Sequence, residues 1–161
     1  METVTKSIDV NVPVSVAYDQ WTQFEAFPRF MDGVKEVRQL SPTRLHWVVS
    51  VGGDTEEWDA TITEEIPDKR IAWAATQGHD NSGVVTFHRL ADDKSRVTVQ
   101  LGYDTKSFSQ KIGDALGFVS RQLEQDLKNF KQFIEQRGAP TGAWRGTIEH
   151  GQIVEQPNPM A

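Results

Sequence analysis

The sequence predicts an α+β fold: a curved antiparallel sheet of about seven strands wrapped around one long C-terminal helix, with two short helices after the first strand. Three observations carry this. Six segments between Val34 and Thr105 alternate with period two and are separated by short turn signals, the pattern of an antiparallel meander. A single apolar stripe at helical spacing then runs for nearly thirty residues. Parity along the strands gives the sheet one apolar and one charged face, and only that stripe is long enough to cover the apolar one.

The elements follow in order. Thr3–Val12 (TVTKSIDVNV) alternates and stops at Pro13, so it reads as the first strand. Ser15 is the expected N-cap of a helix carrying Val16, Ala17, Trp21 and Phe24. Pro28 interrupts FEAFPRFMDGV, which implies a second short helix, and Phe24, Phe27 and Phe30 recur every three residues along an inward edge. The strand series is VKEVRQL, TRLHWVVSV, TEEWDATITEEI, RIAWAAT, GVVTFHRL and SRVTVQLGYDT, with turns at Ser41-Pro42, Gly52-Gly53, Pro67-Asp68, QGHDNSG and Asp92-Asp93-Lys94. After Ser107, the expected cap of the long helix, Ile112, Leu116, Val119, Leu123, Leu127, Phe130 and Ile134 form the stripe, which Gly138 and Pro140 end. The domain therefore spans 1–137. Residues 138–161 read as a Gly/Pro-rich tail whose centre, Trp144 to Val154, has the composition to order against the body.

The alternation also orients the tryptophans. A two-residue turn at Gly52-Gly53 pairs Trp47 with Trp58 on the apolar face. Carrying parity onward places Trp73, Phe87, Val99, Leu101 and Tyr103 there too, with Glu64, Ile66 and Arg89 at inward positions near turns. Glu57 and Asp59 point outward.

Composition excludes several function classes. The net charge is −6 with no basic run, which argues against a nucleic-acid groove and against docking on anionic membrane by charge. Without cysteine there are no disulfides, thiol nucleophiles or cysteine zinc sites. METVTKSIDV lacks a signal-peptide core and no run approaches a membrane span, so the expected location is the cytoplasm. His46, His79, His88 and His150 are scattered, and none pairs at metal-ligand spacing. Metal and cofactor are both expected to be absent. The acidic pairs Glu56-Glu57, Glu64-Glu65 and Asp92-Asp93 are strand neighbours facing opposite ways, unsuited to shared acid–base work.

Five tryptophans and eight phenylalanines against two tyrosines leave two readings of the apolar face: a closed core, or the walls of a chamber. Gly113, Ala115 and Gly117 make the first half of the long helix lean, while Leu123, Leu127, Phe130, Phe133 and Ile134 fill the second. An empty pocket of ~300 Å³ at roughly 24 cal/mol per Å³ costs about 7 kcal/mol, comparable with a whole domain's stability. A large dry void thus needs a guest or polar lining.

The stretches IDVNVPVSVAYDQWTQFEAFPRFMDGVKEVRQL, EWDATITEEIPDKRIAW, GVVTFHRL, DDKSRVTVQLGYD and LEQDLKNFKQFIE resemble the START-like, or helix-grip (SRPBCC), superfamily. The nearest likeness is to its bacterial polyketide cyclase/dehydrase and lipid-transport proteins, over roughly residues 3–137. The resemblance implies a deep cavity between sheet and helix that takes an apolar or aromatic small molecule. Relatives include lipid carriers, coenzyme-Q-binding proteins, aromatase/cyclases and a ribosome-associated toxin, so the likeness specifies no reaction. Cyclases of the fold are thought to use an arginine and hydroxyls inside the cavity, and neither Arg89 nor Arg121 matches such a position.

The expected ligand walls are Trp47, Trp58, Phe87, Leu101, Leu116 and Val119, with Tyr103 orienting the guest. Phe27, Phe30 and Met31, with the loop from Gln77 to Ser82, frame the expected mouth, and Trp73 is expected to be end-of-core packing. Should the protein be an enzyme, Tyr103 with Arg89 or Glu64 would transfer protons. A third reading is a partner-binding or self-associating module using the acidic outer face or the C-terminal tail.

Overall fold

The computed structural model describes residues 2–51, 53–76, 81–103 and 115–157. Among these residues nine strands form one antiparallel sheet, two more than the alternation predicts. β1 is Glu2–Val10, β2 Val34–Ser41, β3 Arg44–Val51, β4 Asp54–Ile66, β5 Arg70–Ala75, β6 Ser82–Ala91 and β7 Lys94–Tyr103. They lie in the order β1-β7-β6-β5-β4-β3-β2. The extra pair, β8 (Thr147–Glu149) and β9 (Gln152–Glu155), comes from the expected tail, and β8 joins the sheet against β4. The register confirms the parity reading for the two tryptophans of the β3–β4 hairpin. Trp47 pairs with Trp58 and Val51 with Asp54, and Gly53 adopts the left-handed φ of +89° that a tight hairpin turn asks of glycine.

Helix α1 spans Val14–Trp21, and a 3₁₀ helix follows at Phe24–Arg29. Ser15 is not the cap. Pro13 holds that position, and its carbonyl accepts the amides of Val16 and Ala17. Pro has no amide to leave unpaired at a helix start, which suits it to the site. At the other end the Thr22 hydroxyl donates to the Asp19 carbonyl at 2.6 Å.

Helix α2 (Ala115–Arg137) lies across the concave face and packs on β1. The expected first turns after Ser107, with Gly113, lie outside the described residues. Leu123, Leu127, Phe130 and Ile134 are buried, as the stripe requires, whereas Leu116 is half exposed. The packed end of the core is aromatic. Phe130 lies 5.3 Å from Trp21 and 5.2 Å from Phe30, and Phe27 lies 5.2 Å from Trp21, distances at which edge-on ring pairs attract.

β4 carries a correction. Its register against β5 slips between Ile62 and Glu64, a β-bulge that reverses the pleat. Glu65 therefore turns inward and is buried, while Glu64 and Ile66 are only half buried.

The segment after α2 clamps the body. Gln20 and Thr141 exchange two hydrogen bonds, of 3.0 and 2.9 Å. The Arg145 guanidinium forks between Asp19 (2.5 Å) and Asp68 (2.8 Å) and sits over the Tyr18 ring. The Gly151 amide donates to the carbonyl of Thr63 in the bulge, and Ile148 is fully buried opposite Glu65.

Candidate functional site

A cavity of about 180 Å³ opens between the tryptophan strands and the first turns of α2. Three indoles form its sheet wall. Trp47 on β3 lies near parallel to Trp58 on β4 (6.5 Å, 15°) and to Trp73 on β5 (5.6 Å, 29°). Val99, Leu101 and Tyr103 of β7 extend that wall, and Phe118, Val119 and Leu123 supply the helix side. Met31 with Gly33 and Val34 closes it from the segment entering β2.

Of the expected wall residues, the cavity brings together Trp47, Trp58, Leu101, Tyr103 and Val119; of the expected mouth, Met31 and the end of the loop, Asn81 and Ser82. The others sit elsewhere, for identifiable reasons. Phe87 faces inward, but further along the sheet, edge-on to Tyr18 of α1 at 5.3 Å. Phe27 and Phe30 are wholly buried in the aromatic core, since the 3₁₀ helix turns both toward Trp21. Leu116 points to solvent from the first described turn of α2. Gln77 lies outside the described residues. Trp73, expected to be end packing, is on the wall instead. Its register partner on β6 is Gly83, and a Cβ there would stand 2.3 Å from the indole, so the ring lies over the glycine.

The proposed proton-transfer partners separate. Tyr103 is buried on the cavity wall. Arg89 is exposed and pairs with Asp92 at the β6–β7 turn. Glu64, rotated by the bulge, pairs with Arg70 at 2.5 Å.

The strand patterns gave no sign of the group that brings charge to the cavity. Asp126 of α2 lines it and is 8% exposed. Its Oδ1 accepts the Asp32 amide at 3.3 Å and the Gln122 side chain at 2.8 Å. Burial pushes its carboxyl up to about 6, and the neighbouring negative charge of Asp32 acts in the same direction. The signal lay in LEQDLKNF: Asp126 follows Leu123 by three and precedes Leu127, so it falls on the buried face of the helix.

Two other ionisable groups stand apart. Glu65 is held in the core beneath β8, its Oε2 without a hydrogen-bond partner among the described residues, and burial pushes it up to about 8. His46, on the outer sheet face, binds Asp59 through Nδ1 (2.7 Å) and Glu57 through Nε2 (2.9 Å). Those carboxylates raise its affinity for a proton.

Comparison with known proteins agrees with this geometry. The family model described as polyketide cyclase / dehydrase and lipid transport matches residues 10–132. A Streptomyces lincolnensis protein, described as an uncharacterized 17.2 kDa protein in the melC2–rnhH intergenic region, is 53% identical over 92% of this chain and 99% of its own. A crystal structure from Deinococcus radiodurans is 28% identical, with a TM-score of 0.67 over 84% of this chain and 99% of that one. A START superfamily protein of Mycobacterium smegmatis shares the fold with a TM-score of 0.70 at 18% identity, over 84% and 98% of the two chains.

Proposed function

The chain belongs to the polyketide cyclase / dehydrase and lipid transport family, and from that premise we propose that it binds a small apolar or aromatic molecule between the sheet and α2. The observation that carries this reading is the indole-walled chamber itself. Without a guest the indole faces and aliphatic side chains around this space of about 180 Å³ stand exposed to water, which apolar surface disfavours. A chain that keeps three tryptophans around such a space gains most when a guest fills it.

Size bounds the guest. The chamber exceeds the ~150 Å³ that admits benzene and is smaller than the ~300 Å³ at which drug-sized pockets begin. One or two rings, or a branched chain of similar bulk, fit it. The family's name also covers cyclases and dehydrases. Of the proton-transfer candidates in this chain only Tyr103 stands at the wall, and with Arg89 and Glu64 held in ion pairs elsewhere, binding accounts for the geometry better than turnover.

Native mass spectrometry of the protein as purified tests the reading, with tryptophan fluorescence titrated with single-ring hydrocarbons as its companion. The expected results are a copurified adduct released on denaturation and a saturable change in indole emission. An adduct-free mass, together with emission that no apolar probe alters, would overturn it.

A further inference from the structure

The chamber is apolar on nearly every side and carries its charge at one end, where Asp126 lies beside Gln122 on α2. Among the described residues that carboxylate has no counter-ion. Its contacts among the described residues are the Asp32 amide and the Gln122 side chain, both on Oδ1. The charge that acts on it among the described residues is a second carboxylate, that of Asp32. Among the described residues lining the cavity there is no lysine, arginine or histidine. Buried carboxylates are ordinarily paired, because desolvating an isolated charge costs several kcal/mol that only an opposite charge or several donors can offset. Here Oδ1 is satisfied, while Oδ2 has no hydrogen-bond partner among the described residues and remains accessible rather than sealed in the core.

We infer that the molecule taken up is a cation, a primary or substituted amine on a small aromatic or branched apolar body, whose ammonium group pairs with Asp126 Oδ2 while its body lies between the tryptophans and α2. This deepens the proposed small-molecule binding and rests on it. An ammonium donor supplies the missing counter-charge through a charge-assisted hydrogen bond, about twice as strong as a neutral one. Indole faces tolerate a cation better than any other apolar wall, since the ring quadrupole is negative above its plane. A fatty acid or other anion would set a third negative charge beside Asp126 and Asp32, so the same geometry disfavours it. Burial raises the proton affinity of Asp126 only to about 6, which leaves it mostly ionised at neutral pH.

The test compares two probes of nearly identical shape, phenethylamine and n-propylbenzene, by calorimetry and tryptophan fluorescence at pH 7.5. Phenethylamine is expected to bind at least about tenfold more tightly, the factor that one added charge-assisted contact supplies. Asp126→Asn should remove that advantage while leaving n-propylbenzene within about twofold, which also shows that the variant is folded. The advantage should shrink between pH 7.5 and 5 as Asp126 takes up a proton. Among the described residues only Asp32, from the segment before β2, and Gln122 face it. If n-propylbenzene binds as well as the amine, or Asp126→Asn leaves their ratio unchanged, the cationic assignment is overturned and the chamber reading stands. If the wild type binds neither probe, both are overturned.

Discussion

Glu65 shows how one additional residue in a strand moves a charge into a core. The bulge after Ile62 turns Glu65 toward α1 and β8, where it faces Tyr18, whose own proton burial and the Glu65 charge hold more tightly. The folded state therefore keeps the Glu65 proton up to about pH 8, whereas the unfolded chain releases it near 4.5. Below 4.5 both states are protonated and there is no penalty. As pH rises the unfolded state is favoured progressively, until the folded carboxyl also ionises near 8. At roughly 1.4 kcal/mol per unit of pH, the Glu65 contribution should fall by about 2 kcal/mol between pH 6.5 and 8. In Glu65→Gln that part of the slope should vanish. Every other ionisable group is common to the two proteins, so the difference between the two denaturation series isolates Glu65. Parallel series would contradict the assignment.

At the level of elements, the chamber depends on pairing a large residue with the smallest. Trp73 on β5 lies over Gly83 on β6 because glycine alone leaves room for the indole. Gly83→Val should force the ring off its strand, at a cost of about 1–3 kcal/mol for overpacking. It should also shift the tryptophan emission and weaken the uptake of any apolar probe at least severalfold. Urea denaturation and a probe titration measure the two effects separately. An unchanged affinity would mean that Trp73 is not a functional part of the wall. The C-terminal hairpin is a second such device. It sets the buried Ile148 beside Glu65 of β4, and Arg145, just before it, ties α1 to the β4–β5 turn through Asp19 and Asp68.

For the molecule as a whole, alternation and a single stripe were enough to read the sheet, its long helix and the facing of Trp47 on Trp58. These features depend on parity, which is local. What was hidden depends on contacts between distant segments. The bulge that exchanges Glu64 for Glu65 leaves no mark in EEIPDK. The seating of Trp73 requires knowing that Gly83 is its partner. Phe27 and Phe30 read equally well as a rim or as core, since a spacing of three says only that they share an edge; the choice is made by Phe130, a hundred residues on. Trp144 to Val154 read as the part of the tail able to order against the body, but its strands could not be seen, because Ile148 and Arg145 take their places from receptors on distant segments. Asp126 was missed although its place could be read: an acid on the buried side of an apolar stripe is itself a signal.

The central claim, an apolar chamber open to small guests beside α2, is tested most directly by diffraction from crystals held under xenon pressure, because dry apolar cavities of this size bind the gas without any polar recognition. Xenon density between Trp47, Trp73 and Leu123 is the predicted result. Crystals that show no xenon there, with side chains collapsed into the space, would contradict it.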